Sequence, residues 1–230
     1  MIAVRAALAR RLSGPRDAGI SLTELIVTVM VTGVLAAIVS TMFLNVALAT
    51  NNSTNTLTRN GTATNVLDAV STVIRTAATN PVSTSPEPDP AIIAGTGSAV
   101  TLYSFTNANP ALPAPTKVGY RLDGSGNLVE DRWTATRTGG YWVFTGGVTT
   151  RTIGGPLVTP SGTDPIFVYL DDQGAAITPG QSGLTLAQRS AVAAIRVTVQ
   201  VANSPTSGAS NIVLVNTIAM PNVAIAGTGG

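Results

Sequence analysis

The chain has 230 residues, of which 44% are apolar and only 10% charged, against roughly 25% charged in ordinary soluble domains. It contains no cysteine and no histidine, which excludes disulfides, thiolate nucleophiles, Cys- and His-based metal sites and every catalytic arrangement built on imidazole. The formal net charge of +2 belongs to the first 19 residues, where Arg5, Arg10, Arg11 and Arg16 are opposed only by Asp17, leaving nine Lys and Arg against ten Asp and Glu from Ile20 onward.

In chain order, residues 17–32 read DAGISLTELIVTVMVT, an apolar stretch interrupted by one carboxylate, Glu24. Residues 25–44 then run without a charge, and the next charged residue after Glu24 is Arg59. At about 1.5 Å per residue, a helix of that length spans the roughly 30 Å of a hydrocarbon core. The upstream arginines predict a single-pass segment in the cytoplasmic membrane, with its N-terminus cytoplasmic and the C-terminal portion outside. A cleaved secretory signal has a shorter apolar region, of about 7–15 residues, closed by small residues at the cleavage site. A plain signal anchor fits the length but leaves Glu24 as no more than an interfacial helix-end charge. The Arg10-Arg11 pair lacks the surroundings of a twin-arginine export signal.

A third reading accounts for each element. The basic leader ending in Gly19, then Ile20, then Ser21-Leu22-Thr23, then Glu24 as the fifth residue from Ile20, then the apolar run, resembles the class III signal of type IV prepilins and type II secretion pseudopilins. The resemblance implies cleavage by a prepilin peptidase after Gly19 on the cytoplasmic face and N-methylation of Ile20. It also implies assembly into a filament through the apolar helix, with Glu24 paired to the N-terminal ammonium of a neighbouring subunit. The physical logic agrees: a cut ahead of the hydrophobic run keeps the anchor, glycine suits a tight extended peptidase site, and an ion pair buried in an apolar helix bundle sets register. The chain departs from the pattern where many members carry proline: Thr41 stands there, and no proline occurs between Pro15 and Pro81.

Beyond residue 44 the chain turns polar. Apolar residues at 66, 67, 70, 73, 74 and 77 recur at helical spacing. One helix over residues 21–79 is expected, loosened around 51–61 and stopped by Pro81. Residues 80–90, NPVSTSPEPDP, read as a Pro-rich connector. Strands are expected at 98–105, 117–122, 127–134, 141–153 (broken at Gly146-Gly147), 165–171, 191–202 and 211–221. Ile195, Val197, Val199 and Val201 point inward by alternation, and DGSGN (123–127) forms a hairpin turn. The expected organisation is leader 1–19, transmembrane and filament-core helix 20–45, amphipathic second half 46–79, connector 80–97, β-rich domain 98–222 and flexible tail 223–230. The fold class is α+β, pilin-like: a long N-terminal helix packed on an antiparallel sheet. VGYRLDGSGNLVEDRW (118–133) and FVYLDDQGAAIT (167–178) followed by a long strand resemble minor pilins and J-type minor pseudopilins, which implies a minor subunit.

Other candidates have plain structural readings beside them. Asp123, Asn127, Glu130 and Asp131, and separately Asp171 and Asp172, carry oxygen ligands suited to Ca²⁺, and some pseudopilins bind calcium. No full ligand loop is present, and these residues equally serve turns. No metal or cofactor is therefore assigned. Trp133, Tyr141 and Trp142 with Arg132 and Arg137 offer a stacking, cationic surface, but no concentrated basic run supports nucleic acid as a partner. Three Asn-x-Ser/Thr matches begin at Asn51, Asn52 and Asn60, in a segment so rich in these residues that chance matches are expected. No Ser or Thr has a plausible base partner and no glycine run has phosphate-loop spacing, so no enzyme is expected. The expected partners are other pilin subunits, the prepilin peptidase, the inner-membrane assembly platform and, before assembly, the membrane itself. The expected destination is a cell-surface filament serving adhesion, motility, DNA uptake or type II secretion. The rival reading is a membrane-anchored extracellular binding module that does not polymerise.

Overall fold

The computed structural model describes residues 19–107, 114–158, 165–202 and 211–224. The chain divides into two compact units, residues 1–54 and 55–230. The expected leader lies outside the described residues except for Gly19, as does the expected tail beyond residue 224.

The first unit contains the start of helix α1 (Leu22–Arg75). Ser21 begins it: its hydroxyl accepts from the Glu24 N–H at 3.2 Å and its carbonyl from the Leu25 N–H at 3.0 Å, which satisfies groups that every helix start leaves open. None of the residues in the apolar window of this helix is buried, and the helix is long and apolar enough to cross a membrane. It runs without a break through residues 51–61, where loosening was expected. No proline interrupts that stretch, and Thr62 returns its hydroxyl to the Thr58 carbonyl (3.0 Å), a bond compatible with an intact helix. Gly61 costs about 1 kcal/mol relative to alanine, too little to stop a helix without a competing structure.

In the second unit, the last turns of α1 bury Ala63, Val66, Val70, Ser71, Val73 and Ile74; of the stripe expected from spacing, Val66, Val70, Val73 and Ile74 are among these, Leu67 is half-buried and Ala77 is buried just past the helix end. The helix ends at Arg75, four residues short of the expected 79, and Pro81 does not end it. Strand pairing does: the Phe105 N–H donates to the Thr76 carbonyl (3.0 Å), the Ala78 N–H to the Tyr103 carbonyl (3.2 Å), and Ala77 bridges Ser104. The backbone has left the helical ladder to join a sheet before the proline is reached.

The first sheet is antiparallel with order β1-β2-β3-β4-β7, made of β1 (Ile92–Gly95), β2 (Val100–Asn107), β3 (Ala114–Leu122), β4 (Leu128–Trp133) and β7 (Val148–Gly154). A two-stranded hairpin, β5 (Thr136–Thr138) with β6 (Tyr141–Val143), stands between β4 and β7. The second sheet has order β11-β10-β8-β9, from β8 (Phe167–Leu170), β9 (Ala176–Ile177), β10 (Ala194–Val201) and β11 (Ile212–Ala219). Two short helices, α2 (Leu186–Ala191) and α3 (Pro221–Ala224), flank β10 and β11 in sequence. A single antiparallel sheet was expected; the described strands instead form two larger sheets and the separate β5–β6 hairpin. The chain passes between them after β7, where the Leu157 N–H donates to the Gly126 carbonyl (2.8 Å) and the Val158 N–H to that of Gln200 (2.7 Å). Strand β1 falls inside the expected connector 80–97, whose proline-rich part is a loop closed by paired backbone bonds between Asn80 and Asp89, at 3.0 and 2.9 Å.

One apolar cluster joins α1 (Val66, Val70, Ile74), the first sheet (Val100, Leu102, Val118, Leu128) and the second (Ile195, Val197, Val199, Ile218). Helix and first sheet meet closely at Gly154, where a Cβ would lie 2.7 Å from Val66 Cγ2 and 3.2 Å from Thr62 Cγ2. Replacing Gly154 by valine is expected to destabilise this unit by about 1–3 kcal/mol through overpacking, read as a lower urea midpoint with an unchanged m-value.

Candidate functional site

The Gly19–Ile20 junction precedes α1 and is exposed, with nothing within 4 Å of a Cβ built on Gly19. The scissile bond of the expected cleavage thus lies outside the helical ladder, which begins at the Ser21 carbonyl. Ser21 and Thr23 hydroxyls lie 2.8 Å apart beside it. Glu24 is in the first turn of α1, where the helix dipole favours a carboxylate by about 0.3–1 kcal/mol. Its side chain is exposed, and among the described residues it has no ion-pair partner. Thr28 donates its hydroxyl to the Glu24 carbonyl (2.7 Å). The dipole term is smaller than the roughly 2.5–3.5 kcal/mol that a charge costs at the centre of a hydrocarbon layer. The apolar residues that follow, Leu25 through Leu44, are exposed along every side of the helix.

The calcium candidates separate. Asp123 Oδ1 accepts from the Ser125 and Asn127 N–H groups (2.8 and 2.9 Å), and Oδ2 from the Asn127 amide (3.1 Å). The side chain and backbone N–H of Asn127 hold its carboxyl below the usual carboxylate range. Asp171 does the same work in its own turn, accepting from Gln173 and Ala175 N–H groups at 3.0 and 2.8 Å. Asp172 is exposed in that turn. Among the described residues no three acidic side chains converge.

Glu130 and Asp131, adjacent in sequence, point to opposite faces of β4. Asp131 pairs with Arg121 (2.8 Å) and accepts from the Thr150 hydroxyl. Glu130 is fully buried and receives the guanidinium of Arg132, that of Arg151 (2.8 Å) and the Tyr120 hydroxyl (2.8 Å). Tyr120 also lies 3.4 Å from the Ala69 carbonyl of α1, so this polar group ties the helix to the sheet. Burial alone would raise the Glu130 carboxyl, but the hydrogen bonds from Arg132, Arg151 and Tyr120 outweigh it and bring it down to about 2. Burial and the neighbouring carboxylate push the Tyr120 hydroxyl far up. This network was not anticipated. Its signal in the sequence was the alternation of β4, which puts Glu130 on the same face as the buried Leu128.

The aromatic and cationic residues also divide. Lys117 lies 4.8 Å from the Trp133 ring and Arg137 5.8 Å from that of Trp142, each cation over its own cross-strand neighbour. Arg132 is turned to Glu130 instead, and Tyr141 stands exposed at the end of β6. The Asn-Gly-Thr match at 60–62 lies within α1, with Thr62 bonded to the Thr58 carbonyl.

The helix α2 was also not expected, although Thr185-x-x-Gln188 is a capping-box pattern: the Gln188 N–H reaches the Thr185 hydroxyl (3.3 Å) and the Thr185 N–H the Gln188 side chain (2.9 Å). Compared with known proteins, the chain matches no protein-family model and no curated protein.

Proposed function

We propose that this chain is a prepilin-like structural subunit, a minor one, of a type IV pilus or a related type II secretion pseudopilus. It is processed after Gly19, methylated at Ile20, held in the cytoplasmic membrane by the start of α1 and assembled through that helix into a surface filament. The observation that carries the reading is a carboxylate without an ion-pair partner among the described residues, Glu24, in the first turn of a helix whose apolar start is exposed, four residues beyond an exposed Gly-Ile junction. Cleavage at that junction would create an ammonium on Ile20, the complementary charge that Glu24 lacks within the described chain. The two-sheet unit packed on the end of α1 supports a pilin-like α+β organisation.

Co-expression with a prepilin peptidase tests the processing step. The wild-type chain is expected to lose the mass of its first 19 residues, and Gly19→Ala to retain it, both read by intact-mass measurement of the membrane fraction. Equal masses for the two proteins would remove the prepilin reading and leave a membrane-anchored extracellular binding module.

A further inference from the structure

Each of the two larger sheets keeps one long strand with an open edge among the described residues. In the first sheet the outer edge of β1 is closed: the Leu184 N–H donates to the Gly95 carbonyl (2.9 Å) and Arg189 Nη1 to that of Ile93 (2.6 Å). In the second sheet β9 is only two residues long. The other two ends, β7 and β11, have seven and eight residues, and each pairs with one neighbour only, β4 and β10. Such an edge presents a row of unpaired N–H and C=O groups, which natural sheets blunt with charge, proline, a bulge or a cover. Strand β11 has no charge, proline or bulge: its eight residues pair one to one with β10. Strand β7 slips against β4 only at its Gly154 end. Its single charge, Arg151, is turned to the buried Glu130. From Val148 to Ile153 its other residues are all β-branched, the type that strand pairing favours. Among the large apolar side chains that this unit leaves exposed, Val148, Val213 and Val215 lie on these two strands, at 51%, 50% and 57%.

The two edges are unlike and belong to different sheets. Pairing β7 with β7 would bring two Arg151 side chains together, and like charges across a strand pair are destabilising. Pairing β11 with β11 would join two copies and stop there, because a contact between identical patches closes on itself. Pairing β7 with β11 meets neither limit. It uses one edge of each copy and leaves the other open, so it repeats from copy to copy as a filament of like subunits requires. We propose that β11 of one copy takes up β7 of a second copy as an added strand, which joins the second sheet of one subunit to the first sheet of the next. The contact rests on the filament reading given above. A strand of seven residues runs about 23 Å, and its gain is main-chain bonds with a few valines. It therefore holds copies together where their α1 helices have already gathered them, since a second contact between tethered partners forms at high effective concentration.

The chain has no cysteine of its own, so introduced thiols report on this contact alone. Thr152→Cys on β7 and Val215→Cys on β11, both at exposed positions, are placed in the full-length chain singly and together. The variants are expressed with a type IV pilus assembly machine, and sheared fibres are treated with a short bismaleimide. The double variant is expected to give a ladder of dimers, trimers and larger species on a denaturing gel. The two single variants expressed together are expected to give dimers only, and each alone to stay monomeric. Dimers from Val215→Cys alone identify closed β11–β11 pairing and overturn the proposal. Adding Val213→Lys to the double variant puts a charge on the edge, the device by which natural sheets refuse an added strand. The ladder is expected to disappear while the urea midpoint stays unchanged, because Val213 is exposed. A ladder that survives this change comes from collision of neighbouring subunits and overturns strand addition. Fibres that contain the double variant but yield no cross-link overturn this contact and leave the filament reading standing. Absence of the native chain from fibres overturns that reading, and this contact with it.

Discussion

Replacing Glu24 by alanine is expected to leave leader removal and membrane insertion intact while the protein disappears from sheared surface fibres. The expectation rests on where the carboxylate sits. The uncharged residues 25–44 account for about 30 Å of helix, so a helix that spans a membrane with them would hold Glu24 at the edge of the hydrocarbon layer. There, water and the helix dipole make its charge tolerable in an isolated subunit. In a filament core built from packed helices, water is excluded, and the same charge needs a partner. On the proposed reading, an ammonium on Ile20 of a neighbouring subunit supplies one. Removing one member of a buried ion pair costs about 3–5 kcal/mol, so assembly is expected to fall at least about a hundredfold. Glu24→Gln is expected to fail equally, because an amide does not neutralise an ammonium. The measurement compares the amount of protein in sheared fibres with that in the membrane fraction. Unchanged incorporation would favour an anchored module that does not polymerise.

The parts of this molecule that were legible in the sequence are those governed by a period or a composition. The exposed apolar run and the buried stripe from Val66 to Ala77 follow from one-dimensional spacing, and Val197 and Val199 are buried as strand alternation requires. Glu24 could be found because a lone charge in an apolar run is conspicuous. What spacing does not carry is the choice of partner. The helix α1 is expected to run to residue 79, stopped by Pro81, whereas pairing of Thr76 and Ala77 with β2 ends it earlier, a contact across some 28 residues. The division into two sheets depends likewise on where Leu157 and Val158 find hydrogen-bond partners. Glu130 looked like a calcium ligand because its neighbours in sequence are acidic, but its neighbours in space are two guanidiniums and a phenol.

The Glu130 network yields the second large expected effect, and it is non-additive. Glu130 is wholly buried, whereas the side chains of Arg132 and Arg151 remain 36% and 58% exposed. Either arginine alone can lose its partner and turn to water, so the cost of a single removal falls on Glu130, which keeps the other guanidinium. Arg132→Met and Arg151→Met are each expected to destabilise the unit by about 1 kcal/mol. The double variant leaves a buried carboxylate with only the Tyr120 hydroxyl, and the loss is expected to reach about 3–5 kcal/mol, well beyond the sum of the two. Acid distinguishes this mechanism from lost packing. In the native protein the folded-state carboxyl is depressed from 4.5 to about 2, so its stabilisation is present above pH about 4.5 and is lost as the pH falls toward 2. In the double variant burial acts without counter-charge and raises the carboxyl instead. The sign then reverses: the variant regains stability on mild acidification, as Glu130 takes up a proton and becomes a neutral donor in the core. Urea midpoints for the native, single and double variants across pH 3 to 7 check this. A double variant whose deficit stays constant over that range would show that Arg132 and Arg151 contribute packing and not charge.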